Sequence, residues 1–313
     1  MTGMRSRNIN LMIHRKMSRW LESLPEELRE QAKKDVIVTG GCIASMLLGE
    51  EVNDYDVYFK TKDTVVKIAN HYIDLFIKNR AEKVKQGGIA YDVKLEELTD
   101  SIKRERVRIK IQSAGVAGEA QKMDYEYFEM READGAASAY VEEAFDQDTG
   151  SDPEEPGRQP YRPVFMSSNA ITLSDNVQII VRFWGDHEEI HKNFDFVHCT
   201  NWWTFSDGVK LNQPALEALM SRTLIYMGSL YPICSVFRAK KFILRGWNIN
   251  AGQYLKMCLQ IGQLDLTSRF ILEEQLTGVD AAYFSELLAK AENKEDPNKV
   301  DTAYLVEIIN RMF

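Results

Sequence analysis

The sequence has little of what marks a secreted, membrane-embedded or nucleic-acid-coating protein. Cysteine is scarce: Cys42, Cys199, Cys234 and Cys258 are the four, and no two form a CxxC pair. A disulfide framework is therefore not expected, and the thiols read as reduced. No apolar run approaches the ~20 residues of a membrane-spanning helix. Arg5, Arg7, Arg15 and Lys16 make the start basic, but no apolar stretch of signal-peptide length follows them. A cytoplasmic protein without a membrane partner is expected. Basic charge is not in excess either: 39 Lys and Arg stand against 47 Asp and Glu, a net charge of −8. That balance excludes a protein whose whole surface coats a polyanion.

What is present suits a packed enzyme-sized chain. Of 313 residues, 44% are apolar and 27% charged, enough to bury a sizeable core in about two domains. The acidity is local. Residues 131–160 carry nine carboxylates against Arg131 and Arg158, with three prolines and three glycines, the composition of a disordered or loosely packed insertion. Without that segment the chain is nearly neutral, and a local basic groove for a phosphate-bearing substrate remains open.

Periodicity divides the rest. Met17, Trp20, Leu21, Leu24 and Leu28 recur at helical spacing, giving a helical lead-in over 1–34. Val36-Ile37-Val38 is a short apolar strand that runs into Gly40-Gly41 and a short helix over Ile43–Leu48. A second strand spans 54–60. Its helix follows, with the stripe Val65, Ile68, Ala69, Tyr72, Ile73 and Phe76. Val107, Ile109 and Ile111 alternate with Arg106, Arg108 and Lys110 as a strand, and 123–130 is a weaker one. Residues 170–173 and 177–183 flank Ser174-Asp175-Asn176 as a hairpin. Phe194–Val197 reads as a further strand, and beyond Asn212 the pattern is helical to Phe313. The expected architecture is an α/β core over 35–210, interrupted by the acidic insertion, followed by an all-α domain over 211–313.

Asp54 and Asp56, two apart on a strand, project from one face and can share a divalent metal ion. Such hard oxygen ligands suit Mg2+, which keeps waters and takes up substrate phosphates. Upstream, Gly40-Gly41 lets the backbone approach closely and turns the amides of the next helix toward an anion. One motif is suited to a triphosphate, the other to its metal.

VIVTGGCIASMLLG followed by NDYDVYF resembles the signature of the DNA polymerase beta nucleotidyltransferase superfamily. SVFRAKKFILRGWNI resembles the helix that follows the catalytic domain in poly(A) and CCA-adding polymerases. The whole arrangement is similar to nucleotidyltransferase-like proteins of tailed phages. The resemblance implies a mixed-sheet nucleotidyltransferase fold and an EC 2.7.7-type enzyme, working in the host cytoplasm if phage-encoded. It would transfer a nucleoside monophosphate from an NTP such as ATP to an acceptor hydroxyl by two-metal catalysis. Asp54 and Asp56 would hold Mg2+, with Gly40, Gly41 and Ser45 at the phosphates. Arg238 and Lys241 would lie near the nucleotide. A third carboxylate is implied on a later strand: Asp195, an isolated charge in an apolar run, with Asp92 as the alternative. Cys42 stands where several relatives carry serine.

The favoured acceptor is an RNA 3′ end, tRNA-like. A protein hydroxyl, as in AMPylation, is the rival, and a catalytically silent binding or assembly protein is a third reading. The row Lys103, Arg104, Arg106, Arg108, Lys110 reads as the solvated face of an edge strand. His198-Cys199 reads as packed strand, and Trp202, Trp203 and Trp247 as core.

Overall fold

The computed structural model describes residues 3–85, 91–99, 103–113, 160–167, 169–268, 271–272 and 275. The expected strand over 123–130, nearly all of the acidic insertion 131–160 and the helices expected toward Phe313 lie outside them. The chain divides into two compact units: Thr2–Asp186 with Trp203–Val209, and His187–Trp202 with Lys210–Phe313. Among the described residues, no helix is long and apolar enough to cross a membrane.

The first unit opens on α1 (Ser6–Ser23) and α2 (Glu26–Asp35). Ile9, Ile13, Met17 and Trp20 of α1 are fully buried, a stripe at helical spacing whose side chains each contribute about 1.5–3 kcal/mol by leaving water. Trp20 Nε1 donates to the Tyr72 hydroxyl at 2.9 Å, so the largest buried ring keeps its polar atom satisfied. Asn10 of α1 accepts from Trp203 Nε1 at 2.9 Å.

Next come β1 (Val36–Thr39), α3 (Gly41–Leu48), β2 (Tyr55–Phe59) and α4 (Lys62–Lys85). The order strand, glycine turn, helix, strand, helix is the one the periodicity predicts. Asp35 joins the ends of two helices: it is buried, and its carboxylate accepts from Thr61 Oγ1 at 2.6 Å and Thr64 Oγ1 at 2.5 Å at the start of α4. The C-terminal end of α3 is also engaged. Met4 N donates to Met46 O at 2.9 Å, and Gly3 lies so close that a Cβ there would stand 1.8 Å from the Leu47 carbonyl oxygen.

β3 (Tyr91–Thr99) and β4 (Glu105–Ser113) form an antiparallel two-stranded sheet. The main sheet adds β5 (Pro163–Met166), β6 (Ala170–Leu173), β7 (Val177–Trp184), β8 (Trp202–Thr204) and β9 (Gly208–Lys210). Its order is β5-β6-β7-β2-β1-β8-β9. β1 pairs antiparallel with β2, β2 parallel with β7, and β7 antiparallel with β6, so the sheet is mixed and the fold α/β. The β6–β7 hairpin falls where Ser174-Asp175-Asn176 predicts it; Asp175 and Asn176 take φ of 65° and 55°, the positive values that tight hairpin turns require.

The second unit holds α5 (His187–His191), a 3-10 turn (Val197–Cys199), α6 (Gln213–Ser221), α7 (Pro232–Leu244) and α8 (Ala251–Ile261). The strand expected over 194–197 is reduced to a single bridge, Phe196 to Tyr226. The run of three apolar residues turns immediately into the 3-10 segment instead of extending. Its hydrogen bonds go to one short neighbour, Met227 N to Asp195 O and Val197 N to Ile225 O.

His198 is 1% exposed, packed against Trp247 at 4.2 Å and Phe242 at 4.6 Å between ring centroids, and neither ring nitrogen has a hydrogen-bond partner among the described residues. Burial pushes its pKa down to about 4. Between the unfolded value near 6.5 and that folded value, the unfolded chain binds a proton that the folded chain does not, so stability falls as pH is lowered through the window. The loss at His198 approaches about 3 kcal/mol by pH 4. Urea unfolding at pH 7 and pH 4.5 is expected to show a steeper loss in the native chain than in His198→Leu; equal losses would contradict the assignment.

Candidate functional site

Pairing register brings polar residues into one row across the sheet. Thr39 pairs with Asp56, Asp56 with Gln178, and Gln178 with Thr172. Cross-strand partners share a face, so these four side chains line one side. The adjacent row, Val38, Val57, Ile179 and Ile171, is fully buried on the other. Asp56 and Gln178 are half-buried. Asp54, exposed, lies one residue before β2.

Gly40 closes the site from above β1. Its φ of 96° and ψ of −149° belong to a region open essentially to glycine alone. A Cβ there would stand 2.7 Å from Asp56 Oδ2. The glycine turn and the second aspartate are therefore in direct apposition, and the missing side chain makes room for the carboxylate. Gly40 is also the N-cap of α3, and the N-terminal end of a helix favours negative charge. Gly41, exposed, opens the helix, and Ser45 sits half-buried one turn on. The donors at hand, two carboxylates with hydroxyl and amide oxygens along the row, fit a hard cation such as Mg2+. Among the described residues, no group of three or more His, Cys, Asp or Glu could hold a metal ion.

The other expected site residues belong to the second unit. Asp195 is buried; its carboxylate is paired with Arg238 Nη1 and accepts from Ser235 Oγ at 2.8 Å. Arg238 lies on α7, and Lys241 is exposed in its last turn. The structure thus brings Gly40 to Asp56 in one unit and Arg238 to Asp195 in the other. The alternative carboxylate, Asp92, lies on β3; its side chain is outside the description.

Sequence reasoning missed Gln178 and Thr172. Both alternate correctly within their strands, but only the parallel pairing of β7 with β2 puts Gln178 beside Asp56. The basic row also differs from expectation. Arg106 is buried, its guanidinium 5.1 Å from the Phe183 ring, because β4 packs on β7 and does not face solvent there. Arg108 and Lys110 share one carboxylate, Glu96, which offsets one charge of the row. Trp203 and Trp247 are buried as expected, whereas half-buried Trp202 stacks on His187 at 3.8 Å.

Residues 11–222 match the model of a family described as Gad2, Gabija anti-defense 2 family protein. No curated protein matches the chain. Among solved structures, a Thermotoga maritima CCA-adding enzyme complexed with tRNA is similar at 12% identity and a TM-score of 0.34, over 87% of this chain and 53% of that one. A CCA-adding enzyme with CTP is similar at 13% identity and 0.30, over 88% and 56%. The chain spans about half the length of these structures.

Gly40→Ala is expected to cost about 1–3 kcal/mol through backbone strain and to displace the Asp56 carboxylate. Gly41→Ala, whose Cβ would meet nothing within 4 Å, should leave the melting temperature unchanged or slightly higher. Comparable melting of the two variants would contradict the geometry. Arg238→Ala leaves the Asp195 carboxylate buried without its cation and should lower stability by about 3 kcal/mol; adding Asp195→Asn should recover most of the loss in thermal melts.

Proposed function

The chain belongs to the Gabija anti-defense 2 family, and on that premise we propose that it counters the defence by nucleotidyl transfer, moving a nucleoside monophosphate from an NTP to an acceptor hydroxyl. The observation that carries the reading is the apposition of Gly40 with the Asp56 carboxylate at the mouth of α3. Asp54 and Asp56 would hold magnesium, which when bound offsets the charge of the triphosphate and of the reacting phosphoryl group. The amides at the start of α3 would receive the terminal phosphates, with Gly41 allowing their close approach. Ser45 lies one helical turn further on, within reach of a supporting role. Asp195 already accepts from Arg238 and Ser235, so the reading rests on Asp54 and Asp56.

The first acceptor proposed is an RNA 3′ end. The net charge of −8 argues for contact with an end, not with an extended duplex. Family membership favours a second reading: an anti-defence role is served equally by modifying a serine, threonine or tyrosine hydroxyl on a defence protein, and the same phosphoryl chemistry serves both.

The test incubates the protein with Mg2+ and each α-labelled NTP, offering total RNA and total protein of a lysate, beside an Asp54→Ala/Asp56→Ala variant. Label in RNA supports the first acceptor, and label in polypeptide the second. The variant should lose transfer by about 10³-fold or more, since the ion supplies several kcal/mol of charge stabilisation. Equal labelling by the variant, or none with any NTP, would overturn the enzymatic reading and favour a silent binding protein. Melting reports binding separately: Mg2+ with NTP at 100 times Kd should stabilise the native chain by about 2.7 kcal/mol.

A further inference from the structure

Two-ion phosphoryl sites hold their metals about 3.5–4 Å apart, and anionic ligands must offset the repulsion between them. Among the described residues, the row through Asp56 supplies little of that charge. Asp56 has two lateral neighbours in its row: Thr39 on β1 and Gln178 on β7. Neither is ionised. Thr172, beyond Gln178, is also neutral, and no third His, Cys, Asp or Glu joins the group among the described residues. β7 could have placed a carboxylate beside Asp56 by changing one residue, because the parallel register sets position 178 directly against it on the same face. It carries an amide instead.

On the reading given under Proposed function, we propose that Gln178 occupies the third ligand position of the site as a neutral oxygen donor, and that the site therefore takes up one divalent cation, the one that arrives with the triphosphate. Asp54 and Asp56 supply the charge that binds this ion. Gln178 supplies direction: its carbonyl oxygen can accept from a metal-bound water or lie against the ion, while its NH2 donates to a phosphate or acceptor oxygen. Half-buried Thr172 extends the row with a hydroxyl of either hydrogen-bonding sense; Thr39 is fully buried beside Asp56. A carboxylate at 178 would add the negative charge that a second ion needs.

The experiment counts Mn2+ by electron paramagnetic resonance of the free ion, in the presence of a non-hydrolysable NTP analogue, for the native chain, Gln178→Glu, Gln178→Leu and Asp54→Ala/Asp56→Ala. The native chain should bind one Mn2+. Gln178→Glu, nearly isosteric, should bind two, the second at least about tenfold tighter than on the native chain, the scale on which ligand changes alter metal affinity. Gln178→Leu should keep one ion, held more weakly. Two ions on the native chain, or a count and affinity indifferent to residue 178, would overturn the role of Gln178 while leaving the nucleotide site standing, provided the aspartate variant loses its ion. Mn2+ uptake unaffected by losing both aspartates would overturn the underlying site itself, and this inference with it.

Discussion

The register of β2 between β1 and β7 is the constraint on which the rest depends. It sets Val38, Val57 and Ile179 in one row, and Thr39, Asp56 and Gln178 in the next. A slip of one residue would turn the aspartate into the apolar layer and bring valine into the polar row. Burying an unpaired carboxylate costs several kcal/mol, so the hydrophobic rows that stabilise the sheet also fix the position of the polar one. Core and site are two sides of a single alignment.

Much of this arrangement is legible in the residues. The strand, glycine turn, helix and strand over 36–60 follow from short apolar runs and from Gly40, whose φ of 96° only glycine adopts without strain. The hairpin at 174–176 follows from its turn residues. What the linear pattern does not reveal is which strands become neighbours. β7 lies more than a hundred residues from β2 along the chain, and its parallel pairing is a tertiary fact that no local periodicity encodes. For the same reason Gln178 reads in the sequence as an ordinary outward-facing residue. Arg106 is the converse case. Alternation marks it as solvent-facing, yet packing of β4 on β7 places its guanidinium over Phe183.

Asp195 shows how a correct physical premise admits two outcomes. A lone carboxylate in an apolar run needs a partner, and the sequence leaves open whether that partner is a metal ion or a cation of the chain. In the helical unit it is Arg238, with Ser235 filling a further acceptor site. The bridge from Phe196 to Tyr226 and the 3-10 turn behind it hold the backbone at that point. The same segment carries His198 into an aromatic enclosure where it stays neutral.

The short helix α3 has another property, which follows from how its ends are held. At its start the Gly40 backbone abuts Asp56. At its far end Gly3 lies against the Leu47 carbonyl and Met4 is hydrogen-bonded to Met46. The helix is thus a strut between two stops, one belonging to the sheet and one to the chain's own leading arm. An anion arriving at its amino end would meet a member that cannot recoil along its axis. Any displacement of α3 along its axis would have to carry the sheet or the leading arm with it.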